Sequence, residues 1–442
     1  MDASSSRAGS PLLRAPGGKP GHLVVLCVSA ALVFASSAYA EEMPIPPERS
    51  VSLPGANVES TLRIARQLNP ELVARALQAD AARARVDIAG SLPDPTLEIA
   101  NNEMDRMSGP RRSMMIYSIE QEVPLWGKRD LKKTIALAEV ERATAQSQSA
   151  ELELAERVKV AFAAYYQAEH AVKAGETLHR AIHAIAKVSR DRYARGIGSQ
   201  QEVFQAEIER SRIDIEIVRL DTALQNAQGQ LNALLLRPLN APLAEPRTLR
   251  AVPGMEQLDV NSLAARAISG NPSLRADLAD VKGAESSREL AERNWYPDVT
   301  VSAGGIDRGG NGPNGYMASI GFQIPLQWGL HEAQTREATA ALGAARAEHD
   351  ARNLEIQSGL VDAVSALQGA RRTAELYRTQ LLPQGEALLR STTAAFSFGK
   401  LGLSAALQAE HDLYDLRVQL LATELDEQRQ LAAIERLIGE DL

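Results

Sequence analysis

Apolar positions along this chain follow two rhythms, one of threes and fours and one of twos. From Lys128 to Arg195 apolar and small residues recur at Leu131, Ile135, Ala138, Ala145, Leu152, Phe162, Tyr165, Val172, Ile182 and Ile185, with no proline and one glycine. That spacing predicts a continuous helix with a coiled-coil-like seam. A run of about 68 residues makes a rod roughly 100 Å long, far beyond what a compact domain uses. Elsewhere the period is two. Tyr316, Ala318, Ile320, Phe322 and Ile324 alternate with Met317, Ser319, Gly321 and Gln323, and Val299, Val301 and Ala303 with Thr300, Ser302 and Gly304. Leu97 and Ile99 alternate with Thr96, Glu98 and Ala100, and Met115, Tyr117 and Ile119 with Met114, Ser118 and Glu120. These are amphipathic strands.

The two rhythms occur twice in the same order. Asn69-Pro70-Glu71-Leu72 returns as Asn271-Pro272-Ser273-Leu274, and Pro93-Asp94-Pro95-Thr96 as Pro297-Asp298-Val299-Thr300. Val123-Pro124-Leu125-Trp126-Gly127 returns as Ile324-Pro325-Leu326-Gln327-Trp328-Gly329, and Tyr193-Ala194-Arg195-Gly196 as Phe396-Ser397-Phe398-Gly399. Four landmarks in constant order indicate an internal duplication. Each half reads as a helical stretch (about 59–92 and 260–295), two strands around a polar turn, a long helix, a glycine break and a returning helix. The expected division is an N-terminal extension over 41–58, a first repeat over 59–238 with strands at about 94–104 and 113–123, a proline-rich linker over 239–258, and a second repeat over 259–442 with strands at about 297–306 and 316–325.

Residues 1–40 read as a signal peptide. Arg7, Arg14 and Lys19 precede an apolar core from Leu23 to Phe34, and Ala38-Tyr39-Ala40 supplies small residues for cleavage. The single cysteine, Cys27, falls inside that core, so disulfides and thiolate metal sites are not expected in the exported chain. Leu26 precedes it where a lipidation motif has a small residue. Net charge is −8, from 48 basic and 56 acidic side chains, which argues against a nucleic-acid partner. Phosphate loops, nucleophile elbows and zinc-protease patterns do not occur, so neither an enzyme nor a cofactor is expected.

Strands of this length with one apolar and one polar face fit a barrel in lipid with a wet lumen; a periplasmic sheet with one buried face has the same pattern. Four strands cannot close a barrel, and open edges cannot face lipid. Three copies pooling about twelve strands would leave a central duct, which predicts a homotrimer.

The strand-ending Pro124-Leu125-Trp126-Gly127-Lys128-Arg129, its partner Pro325 to Gly329, and the paired breaks at Gly196 and Gly399 resemble the TolC family of outer-membrane efflux proteins over nearly the whole mature chain. The resemblance implies a mainly helical fold with a transmembrane β part: a trimeric β-barrel continued by a long periplasmic α-helical barrel. It also implies a passive duct serving an inner-membrane pump of the resistance–nodulation–division (RND) type through a periplasmic adaptor. The wording of Leu92 to Glu98 and Ile119 to Arg129 is similar to the heavy-metal branch, CzcC-like and CusC-like. A duct for drugs or small aromatic compounds is the alternative within the family, and a soluble periplasmic coiled-coil adaptor the alternative outside it.

Under that resemblance, Arg195, Gly196, Gly198, Ser199, Gly399, Lys400 and Gly402 form the periplasmic tip that meets the adaptor, although glycine is expected wherever a helix reverses. Glu202 stands where the family carries an acidic aperture residue, whereas the second repeat has Ala405 there. Glu98, Glu120, Glu122 and Gln323 are expected to line the pore, either as ordinary polar lining or as a cation-favouring surface. Met104, Met107, Met114 and Met115 cluster about the first outer turn and suit soft cations, or fill gaps. His179 and His183 share a helix face at ligand spacing, but with no nearby carboxylate or third histidine to complete a site they read as a solvated face.

Overall fold

The structure, a computed structural model, describes residues 53–104, 112–308 and 313–442. The expected signal peptide over 1–40 with Cys27, most of the expected 41–58 extension, Met107 and the central residues of both outer turns lie outside the described residues. No described helix is long and apolar enough to cross a membrane.

Each repeat opens with two helices where the sequence predicts one stretch. α1 (Val58–Leu68) gives way to α2 (Pro70–Gly90), and in the second repeat α5 (Val260–Gly270) gives way to α6 (Pro272–Arg293). Asn69 and Asn271 cause the break. Each sits in an extended conformation and its side chain accepts from the next helix's first N–H groups, while proline occupies the first helical turn. The strands β1 (Thr96–Met104) and β2 (Arg112–Val123) follow α2. The strands β3 (Asp298–Asp307) and β4 (Gly315–Gln323) follow α6.

After β2, α3 (Lys128–Ala194) runs unbroken for 67 residues and returns as α4 (Gln200–Leu234). The second long rod is not uniform. α7 (Trp328–Leu376) passes through a π-helical turn, Tyr377–Leu381, into α8 (Leu382–Ser397), and α9 (Leu403–Ile438) returns. Pro383 brings no N–H to the ladder, and the widened turn lets Leu382 N–H reach Tyr377 O instead.

α2 and α4 share the length of α3 between them. Arg129 reaches Gly90 O at one end of α2, and Arg157 pairs with Glu71 at the other. Near that point α4 ends, with Leu231 and Leu235 buried against Leu154 and Val158. The seams are built largely from alanine: Ala79 and Ala82 on α2, Ala138 and Ala145 on α3, Ala276 and Ala279 on α6 are all buried. Small side chains allow close helix approach over a long contact.

The repeats are joined at mid-length by a buried charge network. Glu435 on α9 accepts from Lys159 on α3 at 2.8 Å and from Arg250 of the linker at 2.7 and 2.9 Å. Lys159 also reaches Asp441. The linker itself is held by Tyr165 Oη donating to Ala244 O, Gln428 to Arg250 O and Arg371 to Pro253 O. Most other ion pairs are exposed and contribute little. Removing the shared acceptor with Glu435→Ala leaves buried Lys159 with only the exposed Asp441 and deprives Arg250 of its carboxylate, and should cost about 3 kcal/mol. Thermal unfolding of the detergent-solubilised protein checks this, with the exposed-pair variant Glu355→Ala expected near wild type.

Candidate channel face, helix junction and hairpin tips

The four strands form one antiparallel sheet in the order β1-β2-β3-β4, so the two hairpins lie side by side through β2 and β3. Register sorts the side chains. Leu97 opposes Ile119, Ile99 opposes Tyr117, Ile119 opposes Ala303, Val301 opposes Ile320 and Val299 opposes Phe322. These residues therefore share one face, and Leu97, Ile99, Tyr117, Ile119, Val301, Ile320 and Phe322 are all exposed there, with Tyr316 94% exposed. So large an apolar face is not a monomer's water surface.

The opposite face is polar. Thr96 opposes Glu120, Glu98 opposes Ser118, Glu120 opposes Ser302, Glu122 opposes Thr300 and Asp298 opposes Gln323. Glu98, Glu120, Glu122 and Gln323 thus lie on the same side of one sheet. Met114 and Met115 are neighbours along β2 and face opposite sides, so they do not form one soft-metal site; the side chain of Met104, like Met107, is not among those described.

Where β2 passes into α3 the chain turns sharply, with positive φ at Trp126 (61°) and Gly127 (76°). The turn aims the following side chains at the other repeat. Lys128, only 4% exposed, donates to Asp298 Oδ2 at 2.8 Å and to Tyr296 O at 2.9 Å. Trp126 Nε1 donates to Pro297 O, and its ring lies 5.2 Å from that of Tyr296. The motif is legible in sequence. Its partner, 170 positions away, is not.

At the far end both hairpins reverse through the same backbone device. Gly196 (φ 74°) and Gly399 (φ 71°) take the left-handed conformation, and the N–H groups of Ile197 and Lys400 return to Arg192 O and Ala395 O. Ser199 then caps α4 by accepting from Glu202 N, whereas Gly402 precedes α9 with no side-chain cap. Arg195, Ser199, Lys400 and Gly402 are exposed and Gly198 half-buried. Glu202 is half-buried, and its Oε2 is shielded with no hydrogen-bond partner among the described residues. Ile197, Phe398 and Leu401 stand exposed at the tips.

The tips are tied together by contacts that sequence reading missed. Arg192 donates to Phe396 O at 3.0 Å with its guanidinium over the Phe396 ring. Farther back His411 lies 3.3 Å from Glu209, and Tyr414 donates to Glu216 at 2.9 Å. Arg219 beside Glu216 holds that carboxyl below its ordinary range, while burial and the same glutamate push the Tyr414 hydroxyl up. Only the geometry of two hairpins packed together brings such pairs into reach.

Another correction concerns the histidine pair. α4 does supply a carboxylate: Asp214 Oδ1 is 3.0 Å from His179 Nε2 and 3.6 Å from His183 Nε2.

A family model described as outer membrane efflux protein matches residues 61–235 and 263–440, one match on each repeat. The cobalt-zinc-cadmium resistance protein CzcC of Cupriavidus metallidurans is 23% identical over 386 residues, 86% of this chain and 90% of its own length. The nickel and cobalt resistance protein CnrC of the same organism is 25% identical over 306 residues, 69% and 71% of the two chains. Among solved structures, the transmembrane channel CusC superposes with a TM-score of 0.76 at 14% identity, covering 87% of this chain and 92% of its own. The outer membrane protein VceC of Vibrio cholerae gives 0.72 at 21% identity, covering 87% and 96%.

Two outcomes are expected here. Gly196→Ala forces a Cβ into the left-handed region and should cost about 1 kcal/mol, read as a lower unfolding temperature. Burial raises the Glu410 carboxyl above its ordinary range, against the pull of Arg417 and His411. The folded chain therefore holds that proton more tightly than the unfolded one, and stability falls as pH rises from the ordinary carboxylate range through the raised value. Glu410→Gln should be more stable than wild type at neutral pH and equal to it in acid below that range, measured as unfolding temperature against pH.

Proposed function

The chain belongs to the outer membrane efflux protein family, and on that premise we propose that it is the exit duct of a tripartite pump exporting divalent heavy-metal cations. The observation that carries the reading is the acidic side of the sheet, where Glu98, Glu120 and Glu122 stand opposite the exposed apolar side. With apolar residues toward lipid, the carboxylates line the lumen, and repetition around an axis concentrates their field on passing cations. Likeness to CzcC and CnrC over most of their lengths supports the same substrate class.

Assembly follows from the edges. β1 and β4 are the outer strands of the sheet. A homotrimer that pairs β4 of one copy with β1 of the next satisfies every edge in lipid. The helical rods then continue the duct into the periplasm. Exposed Ile197, Phe398 and Leu401, with Arg195, Gly196, Gly198, Ser199, Gly399, Lys400 and Gly402 around them, offer an adaptor both apolar contact and close backbone approach. Glu202, just past the first turn, would be the acidic residue that meets cations at the aperture. The duct is passive, and an inner-membrane RND-type pump supplies the energy.

A deletion strain should lose tolerance to zinc, cobalt, cadmium or nickel while drug tolerance is unchanged, with recovery on expression of the wild-type chain. Sensitivity to drugs alone would overturn the metal reading. In planar bilayers, Glu120→Gln with Glu122→Gln should lower the cation-over-anion preference several-fold; an unchanged preference would leave those residues as ordinary lining.

A further inference from the structure

Two histidines of α3 and an aspartate of α4 converge between the arms of the first hairpin. His179 and His183, four residues apart, present rings whose centroids are 4.1 Å apart. Both Nε2 atoms turn toward Asp214 Oδ1, and one ligand atom from each residue lies within 4.8 Å of the other two. We propose that His179, His183 and Asp214 form a binding site for a divalent first-row transition ion such as zinc, cobalt or nickel.

An ordinary ion pair does not account for the arrangement. Asp214 can bond His179 at 3.0 Å, but 3.6 Å to His183 is beyond hydrogen-bond reach. The His183 Nε2 atom is nonetheless shielded from solvent, with no hydrogen-bond partner among the described residues. A shielded polar atom without a partner is costly, and a cation accepting both imidazole lone pairs removes that cost.

The spacing has the scale of a coordination polyhedron. Metal–ligand bonds of about 2.0–2.1 Å in a tetrahedral site put neighbouring ligand atoms roughly 3.3 Å apart. The two histidine–carboxylate separations, 3.0 and 3.6 Å, fall on either side of that value, and all three ligand atoms lie within 4.8 Å of one another. Two imidazoles and a carboxylate suit zinc, cobalt and nickel. Calcium and magnesium prefer all-oxygen shells, and copper(I) prefers sulfur. Three protein ligands leave a position for water, and with side chains 35%, 42% and 52% exposed the site lies near the helix surface although His183 Nε2 itself is shielded. Arg180, the next residue along α3, is turned toward Glu176 and Thr177 and does not occupy the site.

The second repeat serves as an internal control. With the tips aligned, the residues corresponding to His179, His183 and Asp214 are Leu382, Glu386 and Arg417. Glu386 and Arg417 stand 3.5 Å apart as an ordinary cross-arm ion pair. The second repeat thus bridges its arms at this level with an ordinary ion pair, and the first with side chains that can ligate a metal. An ion there would clamp α3 to α4 roughly 20 Å from the turn at Gly196. Binding at this site goes beyond the transport reading, because it holds whatever the duct exports.

The test is isothermal titration of the untagged, detergent-solubilised full-length protein with zinc chloride, repeated with cobalt chloride and read by visible absorption. Wild type is expected to bind one ion per chain. Asp214→Asn keeps the shape and a bond to His179 but removes the anionic ligand, and should weaken binding at least about tenfold. His179→Ala with His183→Ala should abolish that site, whereas Arg417→Ala in the second repeat should leave it unchanged. Zinc should also raise the unfolding temperature of wild type but not of the double variant. Equal binding and equal stabilisation in wild type and double variant, or no binding to wild type, would overturn the proposal.

Discussion

A β-strand in hydrocarbon has no water to satisfy its backbone, so every edge must find another strand. In this chain β2 and β3 satisfy each other, and β1 and β4 are left as the two borders of a four-stranded sheet. The remaining architecture can be understood as serving that need. Side-by-side hairpins present one continuous apolar face and one polar face, so the sheet can sit in lipid only as part of a closed wall. The rods below inherit the spacing and direction that this wall imposes.

Transmission from strand to rod depends on a few buried or half-buried contacts and one exposed indole bond between the repeats, not on the many surface ion pairs. Lys128 and Trp126 fasten the start of α3 to the strand entry of the other repeat. The Lys159–Glu435–Arg250 network fixes α3, α9 and the linker at mid-length. Arg192, Glu209 and Glu216 join the tips. Between these points alanine seams hold the helices close without demanding a single interdigitated core. Such a structure resists shear at its locks while its tips rely on few bonds.

Much of the fold was legible because its signals are periodic and duplicated. Heptad-like spacing marked α3, alternation of two marked the faces of all four strands, and the repeated Asn-Pro, Pro-Asp and Gly landmarks aligned the halves. Asn69-Pro70 aligns the halves as a landmark, and Asn followed by Pro is also a cap signal that divides the pre-strand helix. Pro383 was likewise visible, but the π turn that absorbs it depends on local backbone geometry. What could not be read was pairing across long separations. Asp214 is 35 positions from His179 and meets it only through the register of two antiparallel helices. The partners of Lys128 and Arg192 lie in the other repeat altogether.

The central claim is that β1 of one copy meets β4 of another. Within one chain these strands are separated by two others, roughly 14 Å at about 4.8 Å per step, too far for a disulfide. The sequence beyond Cys27 has no cysteine, so introduced pairs can be read without background. The direct measurement is oxidation of membranes carrying one cysteine on β1, at Leu97 or Ile99, and one on β4, at Ala318 or Ile320, followed by non-reducing electrophoresis. The account predicts covalent dimers and trimers, with none when either cysteine is omitted. Monomer alone across all four pairings would contradict it.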